Sequence, residues 1–124
     1  MVAVGSSTWI AFLRGESGSD VEALDKALEL QQVVLPPVVL TEILSARGLD
    51  ERVRDFFLDL PLLELRPGFW NRAASTRSSL LDQKLRPRLA DTLIAQSCID
   101  QGIALITRDS DFRHFSRHAG LALV

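Results

Sequence analysis

The sequence predicts an α/β domain, with a central, mostly parallel sheet and helices on both faces. Three observations carry that prediction. Short apolar runs alternate with segments of helical periodicity along the whole chain. Two of those runs, Met1–Val4 and Ala104–Ile106, break abruptly into glycine, hydroxyl or carboxylate residues. Strands do this at the carboxyl edge of an open sheet. Finally, 124 residues without an internal repeat or low-complexity linker fit one domain, residues 1–124, with a sizeable core.

Met1–Val4 reads as the first strand, and Gly5-Ser6-Ser7 as a tight turn with Ser6 or Ser7 as N-cap. Trp9, Ile10, Phe12 and Leu13 then recur at helical spacing until Arg14-Gly15. After a loop at Glu16–Gly18, Asp20–Leu30 is an amphipathic helix with Val21, Leu24, Ala27 and Leu28 on one face. Gln32–Leu35 is a second strand. Pro36-Pro37 ends it and fits the first turn of a helix over Val38–Ala46.

Asp50–Leu58 is a further helix, Leu62–Leu65 a third strand and Pro67–Leu81 another helix. Asp82–Arg88 is a polar, basic connector. Leu89–Gln101 is a helix closed by Gly102. The strand into Thr107 follows. Arg113-His114-Phe115 reads as one short helical turn, and Leu121–Val124 as an edge strand.

Composition excludes several classes. The single cysteine, Cys98, rules out an intrachain disulfide or a cysteine metal cluster, and its apolar setting makes it a small buried hydrophobe. No run reaches membrane-spanning length, and no basic segment precedes an apolar core at the N-terminus, so a cytoplasmic protein without membrane association is expected. Net charge is unevenly spread. Residues 1–65 carry 5 Lys/Arg against 11 Asp/Glu, a balance of −6, and residues 66–124 carry 9 against 5, a balance of +4. A basic half beside an acidic site suits a polyanionic substrate.

The chemistry concentrates in Leu105-Ile106-Thr107-Arg108-Asp109-Ser110-Asp111-Phe112. Its oxygen ligands suit a hard cation such as Mg²⁺ or Mn²⁺, although Asp and Ser are also ordinary turn residues. Glu42 is a lone acid among Val39, Leu40, Ile43 and Leu44. It is either a functional carboxylate or a solvent-facing one. Asp91 lies in the first turn of its helix, where it also complements the helix dipole. His114 and His118 are four apart, with no ligand frame around them, and read as surface residues.

Four stretches in this order resemble the VapC toxins of the PIN-domain ribonuclease family. They are Val4–Ile10 with Phe12–Gly15, Val39–Ile43, Asp91–Ala95 and Leu105–Phe112. The resemblance implies a three-layer α/β/α PIN-like fold and an acidic cluster that holds Mg or Mn and cuts RNA. It also implies a homodimer neutralised by a cognate VapB-type antitoxin. By motif match, Glu42, Asp91 and Asp109 take the family's second, third and fourth acidic positions, as metal ligands and catalytic residues. Asp111 shares the last role, and Ser7 and Thr107 match supporting hydroxyls. Arg86, Arg88 and Arg108 are the candidate contacts to RNA phosphates. Trp9, Phe12, Phe56, Phe57, Phe69 and Trp70 exceed one small core, which places some of them under a second copy or an antitoxin helix.

One position departs from the family pattern. Gly5 stands where the family has its first acid, so this copy is expected to be an impaired nuclease. In one alternative the chain is a non-catalytic PIN module that binds antitoxin or RNA. In another, Asp109 and Asp111 together compensate. Gly5 itself is either a lost ligand or a glycine that its turn requires for positive φ. A receiver-like phosphoacceptor domain would need an acidic pair closing the first strand and an Asp closing the third, and Gly5 and Leu65 argue against it.

Overall fold

A computed structural model describes residues 1–124. Three short strands form its sheet: β1 (Val2–Val4), β2 (Val33–Val34) and β3 (Ala104–Ile106). They run parallel in the order β2-β1-β3, with Val2 opposite Val33 and Ala104, and Val4 opposite Ile106. Successive strand residues point to opposite faces. Ala3 with Val4, Val33 with Val34, and Leu105 with Ile106 are all buried, so both faces of the sheet are covered. Continuous apolar strands are what such a sheet requires.

Seven helices surround it: α1 (Ser6–Leu13), α2 (Ser19–Glu29), α3 (Pro37–Leu44), α4 (Glu51–Asp59), α5 (Phe69–Asp82), α6 (Leu89–Gln101) and α7 (Arg113–Ala119). A 3-10 turn, Ser110–Phe112, precedes α7. Local chemistry sets the ends. Pro37 opens α3, where its missing N–H costs nothing. The Asp50 side chain caps α4 by accepting from the Arg52 N–H. Gly102 closes α6 in the left-handed conformation. The core joins Val4, Trp9, Leu24, Leu35, Phe57, Leu80, Ile94, Cys98, Leu105 and Phe115. Burial pushes the Cys98 thiol up to about 12, as suits an inert core residue.

Three expectations need correction. Leu62–Leu65 contributes a single bridge, Leu35 to Leu62, and no strand. Pro61 has no N–H to donate, and the Glu64 carbonyl is taken by the Gln101 side chain. Leu121–Val124 likewise makes one bridge, Leu105 to Leu123, held by Leu105 N to Ala122 O (2.9 Å) and Val124 N to Leu105 O (3.1 Å). The expected single turn at Arg113-His114-Phe115 is a helix of seven residues. Phe115 anchors it in the core, and Arg117 and His118 face the negative end of its dipole. Of the six aromatics in question, Trp9, Phe57 and Phe69 are core residues, whereas Phe56 and Trp70 are 39% and 64% exposed.

Candidate metal centre

The parallel register of β1 and β3 makes neighbours of the residues that follow them. The Gly5 N–H donates to the Ile106 carbonyl at 2.9 Å. Beyond Ile106 the chain turns on its own side chains. The Asp109 N–H donates to Thr107 Oγ1 at 3.1 Å, and the Asp111 N–H donates to Asp109 Oδ1 at 2.9 Å. Ser7 Oγ lies 3.4 Å from Thr107 Oγ1, which links the start of α1 to this turn. α6 delivers Asp91 from its first turn. One carboxylate oxygen from each of Asp91, Asp109 and Asp111 falls within 4.8 Å of the others.

Glu42, exposed on α3, joins from the side. Its Oε1 accepts a 2.7 Å hydrogen bond from Ser6 Oγ. Its charge also reaches Asp91. Burial first, then Asp109, Asp111 and Glu42, raise the Asp91 carboxyl to about 6, while Arg88 pulls it down. Helix-dipole complementarity therefore does not dominate at Asp91. Four acids drawn from α3, α6 and the turn after β3 share one edge, and none of them has a salt-bridge partner. All-oxygen donors with mutual repulsion fit a hard divalent cation, which would offset that repulsion.

Gly5 is buried at this edge with φ −77° and ψ 161°, ordinary extended backbone. A Cβ there would lie 3.4 Å from Thr107 Oγ1 and 3.6 Å from the Ile106 carbonyl oxygen, which is van der Waals contact. The backbone therefore has no need of glycine, and the positive-φ alternative falls.

The basic candidates separate. Arg86 and Arg88 are exposed on the connector before α6, whose Pro87 carbonyl accepts from Arg77 Nε at 3.2 Å. Arg108 is instead committed to Asp20 and Glu16, so its guanidinium is not free for phosphate. His114 and His118 stand outside the carboxylate cluster. Sequence reasoning missed Ser6, although its place beside Ser7 made it a candidate hydroxyl. It also missed the Asp20–Arg108 pair, for which residues 88 apart give no local signal.

The family model described as PIN domain matches residues 2–118. No curated protein matches the chain in sequence. Among solved structures, the chain is similar to one in the VapBC2 complex of Rickettsia felis bound to a promoter DNA fragment. Identity is 18%, the TM-score 0.74, and the match covers 100% of this chain and 98% of that one. A chain of VapBC-5 from Mycobacterium tuberculosis matches at 22% identity and TM-score 0.65, covering 99% and 96%. DNA-bound VapBC from Salmonella typhimurium gives 19% identity and TM-score 0.74, covering 100% and 98%. At such identities the likeness is one of fold.

Proposed function

The chain belongs to the PIN-domain family, and on that premise we propose that it is a metal-dependent endoribonuclease toxin of the VapBC type, impaired by Gly5. The observation that carries this reading is the gathering of Asp91, Asp109 and Asp111 within 4.8 Å, with Glu42 in electrostatic reach. They meet at the carboxyl edge of a parallel sheet, where such folds carry chemistry.

Asp91, Asp109 and Asp111 would hold Mg²⁺ or Mn²⁺. The bound ion supplies Lewis-acid stabilisation of a phosphodiester and a nucleophilic water at neutral pH. The chain's own residues arrange the rest. Ser6 fixes one oxygen of Glu42 and leaves the other to accept from water or substrate. Asp109 spends one oxygen on the Asp111 N–H and keeps the second for a ligand. Ser7 and Thr107 hold the turn against α1. Arg86 and Arg88 would meet RNA phosphates, Arg88 acting from beside Asp91.

Partners follow from what stays exposed. Ile10 and Leu13 of α1 and Phe56 of α4 are apolar side chains left open to solvent. They suit a VapB-type antitoxin helix or a second copy of the chain. A monomer by light scattering, both alone and with antitoxin added, would refute this.

Gly5 itself favours a second reading, a PIN module that binds antitoxin or RNA without cleaving. Cleavage of RNA with Mn²⁺ by this chain beside its Gly5→Asp variant separates the two. The nuclease reading expects the variant to cleave faster by at least about 10–100-fold, since even outer-shell losses cost that much. If neither version cleaves, the non-catalytic module stands.

A further inference from the structure

We propose that Arg108 is a positioning residue for the acidic cluster: held by Asp20 and Glu16, it fixes the turn that carries Asp109 and Asp111. The inference rests on the reading of that cluster as a cation site. Arg108 lies between Thr107 and Asp109, yet its side chain is bonded to the loop and helix on the other side. Nε donates to Asp20 Oδ2 at 2.8 Å and Nη2 to Asp20 Oδ1 at 3.0 Å. Nη1 donates to Glu16 Oε1 and Nη2 to the Ser17 carbonyl, both at 3.2 Å.

Asp20 is itself anchored. Its Oδ2 accepts from Thr8 Oγ1 at 2.8 Å, and Thr8 is fully buried on α1 beside Ser7. Adjacent residues of α1 thus tie the turn twice, Ser7 directly to Thr107 and Thr8 through Asp20 to Arg108. The second tie is the firmer, because the Ser7–Thr107 contact is 3.4 Å long. A tie is needed here. Three carboxylates within 4.8 Å repel one another, and the turn's own bonds are all local: the Asp109 N–H to Thr107 Oγ1, the Asp111 N–H to Asp109 Oδ1 and, at 3.4 Å, the Phe112 N–H to the Asp109 carbonyl.

The clamp is also built closely. A Cβ on Gly18 would come within 2.6 Å of Asp20 Oδ1 and 2.9 Å of Arg108 Nη2, and Gly18 has φ +153°. Only glycine lets the loop pass so near. The two-pronged contact needs the planar guanidinium fork, which Lys lacks. The competing view is a solvated surface ion pair that does nothing measurable.

The test compares Arg108→Gln and Arg108→Lys with Arg72→Gln, which breaks a pair elsewhere in the fold. Backbone amide order parameters are measured without metal, and Mn²⁺ affinity by calorimetry. Arg108→Gln should lower the order parameters of Asp109 and Asp111 from about 0.85 to below about 0.6, with α5 unchanged. It should also weaken Mn²⁺ binding by about 10–100-fold. Arg108→Lys should fall between, and Arg72→Gln should change neither reading. Unchanged order at Asp109 and Asp111 in Arg108→Gln overturns the proposal, as does a Mn²⁺ loss equal to that of Arg72→Gln. If neither wild type nor Gly5→Asp takes up Mn²⁺, the nuclease reading fails, and the metal-free order parameters still decide the clamp.

Discussion

The two ends of α6 each carry an aspartate, and the chain treats them in opposite ways. Near the C-terminal end, Asp100 receives a two-pronged contact from Arg72, at 2.9 and 2.6 Å, and a further bond from Gln96 Nε2 at 2.8 Å. Those partners hold its carboxyl below the usual range. At the N-terminal end, Asp91 meets burial and three other acids, which raise it to about 6. One helix therefore has a completed carboxylate at one end and an uncompensated one at the other. A folded chain tolerates an uncompensated carboxylate where a ligand completes it, and strongly shifted groups mark functional sites for that reason.

The largest test of this contrast is catalytic. In the Gly5→Asp background, Asp91→Asn should reduce Mn²⁺-dependent RNA cleavage by at least about 100-fold, because on the proposed reading it removes a direct ligand. Asp100→Asn should leave the rate per folded molecule within about 2-fold, since Asp100 neutralises Arg72 at the far end of α6 and lies outside the acidic cluster. Equal losses at both ends would erase the distinction between them.

Stability should respond with opposite signs. The folded-state value of Asp91 lies above its ordinary one, so the folded chain binds that proton more tightly. The resulting contribution is present at low pH and is lost as pH rises from the ordinary 3.8 through about 6. Asp91→Asn should therefore stabilise the metal-free protein at pH 7, by roughly 1–2 kcal/mol after discounting for solvent screening. That gain should shrink as the pH falls. Asp100 is the reverse case. Its stabilisation is present above the ordinary carboxyl range and is lost as pH falls through its lowered value. Asp100→Asn should destabilise at pH 7 by about 1–3 kcal/mol, because it removes the charge that pairs Arg72 and turns one of the two acceptor oxygens into an NH₂ donor facing other donors. Thermal melts of both variants at pH 4 and pH 7 check the signs.

The smallest effect belongs to Arg86 and Arg88, the exposed cations on the connector before α6. Removing the charges of Arg86 and Arg88 should reduce the salt slope of RNA binding by about 1.4, at about 0.7 per phosphate contact on a single strand. An unchanged slope would take both residues out of the RNA path.

Much of this was legible in the sequence because it is local. Apolar periodicity located six of the seven helices and the strands that lead into Gly5 and Thr107, and took α7 for a single turn. The family resemblance named Glu42, Asp91 and Asp109 for one site, with Asp111 sharing the last role; in the structure Asp91, Asp109 and Asp111 approach within 4.8 Å, and Glu42 stands to the side on α3. What was not legible depends on partners distant in the chain. Leu62–Leu65 has the composition of a strand, but Pro61 has no N–H to extend the pairing and the Glu64 carbonyl is bonded to the Gln101 side chain. Arg108 has the composition of a phosphate contact, and only the fold brings Asp20 and Glu16 to it. The structure also resolved one question that the sequence left open, because Gly5 has negative φ and a Cβ there makes only van der Waals contacts.

The central claim is that the acidic edge is a divalent-cation site short of one ligand at Gly5. Calorimetric Mn²⁺ titration of the chain and of Gly5→Asp, with thermal melts of both, tests it most directly. The account predicts affinity at least about 10-fold tighter in Gly5→Asp, since an added carboxylate oxygen should count for no less than an outer-shell contact. It also predicts a Mn²⁺-dependent rise in that variant's melting temperature. Unchanged Mn²⁺ affinity, together with a lower melting temperature for Gly5→Asp in the absence of metal, would contradict it.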